Sequence, residues 1–513
     1  MGISPKAPVF NMNQVSVWVG RLFSATGQQR LAWSLVALCL LPFVVLGFNS
    51  HPSLDDFSDM VMRRHLSFWG AQQSLYLGWT GRFATSVLLM ELSPLRWPGW
   101  PSFYFLVPLG SLLALAGGLF TLFTKLTREV WPMRMRALAT GVVLSLWLLQ
   151  APSVAECLYW YNAVAVYSLP DALFLLWVAT MVGLVQSRRD VPGYLYWWTA
   201  TAGLSVLLIG SNEVVALVVL AGLTGATLWA GLRHSAHLVP LLGLLVLAIV
   251  AAALSFLAPG NMARLTVIEH QVHLGRAIMG AIGSSAYLII NWLGNGLVLV
   301  ATALALPALS RLAAQSGIPT ARLRQVHPLA LAIGLLGLLV LTGMPSYWAT
   351  GGMMPLRART AVYLLFLLGW LVLVVSSLSW AKWQWPGVQV PTTWPLPVAS
   401  LLWGWLLLSF VSDHNVRVEH VNLGRGSNNV IVAYRDWLSG AAGHYDAQQR
   451  ARYRQLQSAP AQRLRLAPLV AEPPTLVYYD ITTDSTYWGN SAYAQFFGQR
   501  TIWIGPGGHA PPL

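Results

Sequence analysis

Eleven mainly apolar runs divide the chain, most of them near the roughly 20 residues that an α-helix needs to cross a ~30 Å hydrocarbon core. They lie at about 31–48, 102–124, 136–151, 168–186, 194–210, 214–232, 238–258, 286–309, 328–344, 359–380 and 394–411. Lipid offers backbone N–H and C=O groups no partner, so such runs must form helices that satisfy these groups internally. Only 9% of the residues are charged and mean hydropathy is +0.57, whereas soluble domains carry charge on about a quarter of their residues. The chain therefore reads as an all-α polytopic membrane protein. Ser211-Asn212-Glu213 is the break that separates the fifth and sixth runs; as one bent helix they would move every later loop to the other side.

Charge orients the runs. With a cytoplasmic N-terminus, the inner segments hold 14 basic residues, among them Lys6, Arg21, Arg30, Arg311, Arg322, Arg324 and Lys382, against the two acids Glu129 and Asp190. The outer loops hold eight of each sign. Basic residues retained on the inside set orientation, so the net charge of +14 needs no nucleic-acid partner. The first run is longer than a signal-peptide core and lacks a small-residue cleavage site, so it reads as a retained anchor. The two cysteines, Cys39 and Cys157, suggest neither a disulfide framework nor a metal site. The 25 Trp and 17 Tyr suit interfacial belts.

Two domains are expected: a transmembrane domain over 1–411 and an outer-face domain over 412–513. The second turns polar, with strand expected at Pro474–Tyr479 and a short helix at Gln448–Gln457, an α+β pattern.

In this topology the unusual polar residues share the outer side. The first outer loop, about 49–101, opens with Asn49–Asp59, in which Asp55, Asp56 and Asp59 follow directly on the first span. Its middle, Met60–Leu92, has helical periodicity suited to helices lying on the membrane surface. Further loops bring Gly81-Arg82, then Glu156 with Tyr159-Trp160, Asn212-Glu213, Pro259-Gly260-Asn261 with Arg264, and Arg357. Ionised groups beside apolar spans are costly unless paired or wet, which points to a cavity. Arginine gives phosphate forked hydrogen bonds, and a carboxylate can take the proton of an acceptor hydroxyl as phosphate leaves. Neither a Walker loop nor a dinucleotide fingerprint occurs. Glu269, His270 and His273 have a spacing open to metal, though an exposed helix face explains it as well.

The acidic pair after the first span, with Gly81-Arg82, Glu156, Asn212-Glu213, Pro259-Gly260-Asn261 and Trp488-Gly489-Asn490 with Phe496-Phe497-Gly498, resembles the GT-C superfamily of integral-membrane glycosyltransferases, within a bacterial multi-pass group. The resemblance implies a sugar moved from a polyprenyl-phosphate donor to a glycan, lipid or protein acceptor on the extracytoplasmic face of the bacterial plasma membrane. Asp55 or Asp56 would be base or ligand to a divalent metal such as Mg or Mn, with Asp56 placed slightly ahead as base. Arg264, Arg357 and Arg82 would hold the donor phosphate. Glu156, Glu213, Asn212, Asn261, Tyr159 and Trp160 would orient sugar or acceptor, while Trp488–Asn490 would be structural. The rival readings are a transporter or flippase of lipid-linked sugars, and a non-catalytic subunit of envelope polysaccharide assembly.

Overall fold

A computed structural model describes residues 24–267, 273–314, 326–385, 387, 391, 393–411 and 428–505. The first run forms α1 (Ala25–Gly47), started by the Ser24 hydroxyl, which accepts from the Gly27 N–H. The loop after it holds α2 (Asp55–His65), α3 (Phe68–Gly78) and α4 (Phe83–Glu91). These keep Trp69, Leu77 and Leu92 exposed, as expected of helices seated at a membrane surface. Next come α5 (Leu106–Thr127) and α6 (Met133–Gln150), and then two wide π-helical turns, Ala155–Tyr159 and Val164–Ser168, that lead into α7 (Leu169–Gln186).

The chain continues through α8 (Pro192–Ile209), α9 (Glu213–Leu232), α10 (Leu238–Phe256), α11 (Pro259–Val267) and α12 (Leu274–Gly294). After them come α13 (Leu297–Ala314), α14 (Pro328–Thr350), α15 (Leu356–Gln384) and α16 (Leu396–Val411). Among the described residues nine helices are long and apolar enough to cross a membrane: α1, α5, Tyr161–Gln186, α9, α10 with α11, α12, α13, α14 and α15. The molecule is thus an all-α polytopic membrane protein. The break at Ser211–Glu213 divides α8 from α9, and the Asn212 side chain caps α9 by accepting from the Val215 N–H at 3.0 Å.

One run departs from expectation. The span read at 286–309 is two helices, α12 and α13, parted at Asn295-Gly296, where Gly296 has φ 79°. A left-handed residue cannot continue a helix, and glycine takes that conformation without strain. Contacts place the two pieces at successive depths. Gly280 lies against Tyr347 near the end of α14, and Trp292 stacks on Tyr363 and Phe366 of α15. Thr302 then accepts from Trp370 Nε1 at 2.9 Å, and Ser310 from Lys382 Nζ at 2.8 Å. Such interhelical bonds matter because lipid tails are as apolar as leucine and association rests on shape and polar contacts. Trp177 Nε1 donating to Ser205 Oγ at 2.9 Å does the same between α7 and α8.

The tail contains α17 (Asn429–Leu438), α18 (Ala441–Ser458), β1 (Arg463–Leu466), α19 (Trp488–Phe496) and β2 (Thr501–Ile504). The helix expected at Gln448–Gln457 lies within α18. The strand expected at Pro474–Tyr479 does not form; the four-residue strands β1 and β2 pair in parallel instead. The 474–479 segment is committed elsewhere: Tyr478 stacks on Trp160 at 4.0 Å and the Tyr479 carbonyl accepts from the Ser53 hydroxyl at 2.7 Å. Tail and first loop also share a core, in which Tyr453, Tyr493, Phe496 and Ile502 close over Phe57, Met60, Trp100 and Tyr104. The compositional boundary at residue 411 is not a boundary in packing.

Candidate active site

The acids of α2 divide by direction. Successive helical residues point about 100° apart, and Asp56 turns inward, 1% exposed. Its Oδ2 accepts from the Ser53 N–H at 3.1 Å and the Tyr104 hydroxyl at 2.9 Å, and its Oδ1 from the Asn162 N–H at 2.9 Å. Burial pushes Asp56 up to about 7 against those three donors. Asp59 accepts from Asn162 Nδ2 at 3.1 Å, and burial beside Asp55 and Asp56 carries it well above the usual carboxylate range. Asp56 and Asp59 therefore pin α2 to the segment that enters α7.

Asp55 is half-buried and faces Arg357. Burial raises its carboxyl above the ordinary value, and the guanidinium limits the rise. Arg357 Nη1 donates to Glu156 at 2.9 Å, and its guanidinium lies 5.4 Å from the Trp160 ring centre. Tyr167 is within electrostatic reach of both Arg357 and Arg82. Arg82 makes a forked pair with Glu213, Nη2 to Oε2 at 2.7 Å and Nε to both oxygens at 3.2 Å. Arg264 Nη2 reaches the same carboxylate at 3.3 Å. A single layer of charged groups thus runs Asp55, Arg357, Glu156, Arg82, Glu213 and Arg264, with the neutral Tyr167 phenol between the two arginines, drawn from six separate parts of the chain. The Arg82, Glu213, Arg264 and Arg357 side chains stay 22–29% exposed, so the layer is reachable. Despite the cost of burying it, Arg82 is held above its ordinary value by Glu213.

Three of the other expected site residues hold the backbone. Asn212 spends both ends of its amide, capping α9 and donating to the Val166 carbonyl at 2.6 Å. Asn261 accepts from the Gly81 N–H at 3.0 Å and donates to the Ser255 carbonyl at 2.7 Å. Tyr159 is buried and donates to the Phe43 carbonyl at 2.8 Å. Trp160 is covered by Tyr478. Trp160 Nε1 is buried without a hydrogen-bond partner among the described residues, whereas the other three are spent on backbone: capping and latching use the same side-chain chemistry as recognition, so spacing alone does not separate them. Asn490 likewise bonds Thr482 and the Asp484 carbonyl, a structural role as expected.

The glycines beside the arginines have a steric reason. A Cβ on Gly81 would sit 1.9 Å from the Ser255 carbonyl, and one on Gly260 2.6 Å from the Trp79 and Thr80 nitrogens. Only bare backbone lets the start of α4 meet the turn into α11, and that meeting brings Arg82 and Arg264 to one carboxylate.

Asp56 would serve a metal poorly, since its two oxygens already accept from three donors. Among the described residues no three His, Cys, Asp or Glu side chains group as metal ligands. His273 precedes α12, while Glu269 and His270 lie outside the described residues.

Several site residues escape sequence reasoning. Tyr104 and Asn162 hold Asp56, and Tyr167 links the arginines from within an apolar run. Tyr478 closes the layer from the tail; the adjacent pair Tyr478-Tyr479 was its one visible sign. In class, fold and site describe a polytopic helical membrane protein with a charged layer at one end of its helices. No family model, curated protein or solved structure matches the chain.

Proposed function

We propose that this protein is an integral-membrane glycosyltransferase, GT-C-like, that transfers a sugar from a polyprenyl-phosphate donor to a glycan, lipid or protein acceptor on the extracytoplasmic face. Read as one traverse in two pieces, α12 and α13 make eleven crossings with a cytoplasmic N-terminus. The ionic layer and the tail then lie outside, where a lipid-linked sugar is the accessible activated donor. The gathering of Asp55 and three arginines in one layer supports this reading most.

Asp55 is the base in this proposal, in place of Asp56. Burial raises its pKa, which makes it a stronger base than an exposed carboxylate, and its carboxylate, unlike that of Asp56, is not consumed by three donors. The acceptor oxygen bonds the anomeric carbon as the bond from that carbon to the phosphate oxygen breaks. The hydroxyl proton passes to Asp55, and polyprenyl phosphate leaves with the electron pair. Arg357 and Arg82 would meet that charge with N–H groups their carboxylates do not use. Glu156 and Glu213 would fix the guanidiniums before substrate arrives, which lowers the cost of organising the site.

The test supplies full-length protein in nanodiscs with radiolabelled polyprenyl-phosphate sugars and membrane-extracted acceptors. Wild-type transfer that Asp55→Asn abolishes, with donor still bound, supports the proposal; failure to bind any polyprenyl donor sinks it. A flippase is the second reading, favoured by the break at Asn295-Gly296 and by Asp171, 5% exposed inside a span. Movement of intact lipid-linked sugar across the bilayer without transfer would select it.

A further inference from the structure

A cavity of about 840 Å³ lies between α1, α6, α13, α15 and α16, large for the roughly 300–1,000 Å³ of ligand pockets. Its walls are almost wholly apolar, with Leu35, Val142, Leu304 and Leu406 among them. It exists because α13 contributes Ala301, Ala305 and Ala308, one helical face on which larger side chains would close the gap. Val430 and Tyr434 of α17 roof one end.

Tyr434, Ser145 and Trp403 bring scattered polar atoms to the walls, but the one charged side chain of the lining stands at the other end. Gln28 and Gln29 begin α1, Arg311 ends α13, and Trp131 precedes α6. Trp131 packs with Leu309 and Ala313, which places it beside the end of α13. It is 8% exposed, and its Nε1–H has no hydrogen-bond partner among the described residues. A buried indole N–H normally finds an acceptor. A guanidinium, an indole N–H and two amides, of which Gln29 Nε2 already donates to Met135 Sδ at 3.6 Å, thus stand at the mouth of an apolar channel. Arg128 follows α5, and Arg30, Arg134 and Arg136 lie near the starts of α1 and α6, with Glu129 as the one acid among them.

We propose that this cavity binds an anionic phospholipid, its acyl chains along the apolar walls and its phosphate at the Arg311–Trp131 end. The donors match a phosphodiester, and the surrounding arginines favour a headgroup without an ammonium. This site is separate from the ionic layer. Arg311 follows Ser310, which bonds Lys382, and Lys382 stands 25 residues along α15 from Arg357, or roughly 38 Å of helix. The inference does not rest on the glycosyltransferase reading.

The test is native mass spectrometry of the full chain released from nanodiscs holding phosphatidylglycerol and phosphatidylcholine in equal amounts. Wild type should retain phosphatidylglycerol preferentially. Arg311→Gln should lower that preference about fivefold, the attraction of one arginine near the membrane surface, with total bound lipid unchanged. Ala305→Trp should remove the bound lipid by filling the channel. Equal retention of both lipids by wild type overturns the proposal, as does phosphatidylglycerol binding that Arg311→Gln leaves unaltered. If Ala305→Trp fails to fold, the Arg311→Gln comparison alone decides.

Discussion

Asp55 and Asp56 are adjacent in sequence and opposite in surroundings, and substitution should separate them. Under the proposed mechanism, Asp55→Asn should cut sugar transfer about 10²–10⁴-fold, the usual contribution of a general base, with an unchanged melting temperature. Asp56→Asn presents an amide where three donors converge. It should cost about 1–3 kcal/mol of stability, read as a lower thermal midpoint in detergent. The buried acids also set a pH dependence. Burial raises Asp56 from its ordinary value of 3.8 to about 7, so the folded chain holds a proton that the unfolded chain has already released. Its contribution is full below about pH 4 and is lost as pH rises through its folded value near 7. Thermal midpoints should therefore fall across that window, and Asp56→Asn should flatten the slope. An Asp56→Asn slope identical to that of wild type would contradict the assigned burial.

At the scale of elements, the site depends on two helix starts being brought together. Gly81→Ala and Gly260→Ala each drive a Cβ into backbone, which should cost about 1–3 kcal/mol through overpacking and raise the KM for donor by displacing Arg82 and Arg264. A double-mutant cycle on Arg82→Gln and Glu213→Gln should show coupling of about 1–2 kcal/mol, less than a fully buried pair because both side chains keep partial exposure. The same pieces show what was legible beforehand. Apolar runs and the Asn212 break were plain because period and polarity change there. The break at Asn295-Gly296 was hidden, since apolar residues continue on both sides and backbone conformation, not hydropathy, parts the helices. Arg82, Glu156, Glu213, Arg264 and Arg357 stood out as charges that lipid would not tolerate alone. Their pairing was invisible because it depends on which helix ends meet. Asn212, Asn261 and Tyr159 looked like recognition residues because their backbone partners lie far away in sequence, at Val166, Gly81 and Phe43.

For the whole molecule, the tail is part of the packed outer end. Arg64 donates to the Phe496 carbonyl at 2.6 Å and lies 4.1 Å from that ring's centre, so the tail shields α2. A chain ending at Val411 should still insert, because its apolar runs are intact, yet trypsin should cut after Arg63 or Arg64 far faster than in the full chain. Equal cleavage rates would mean that the first loop holds its shape alone. The joining of Ser53 to Tyr479 has a temporal consequence too. The ribosome makes the acidic turn early and its partner some 420 residues later, a wait of roughly 20–85 s at ordinary elongation rates. Through that interval α2 lacks its cover, and a nascent or prematurely released chain carries Asp55 without the tail that packs beside it in the finished fold.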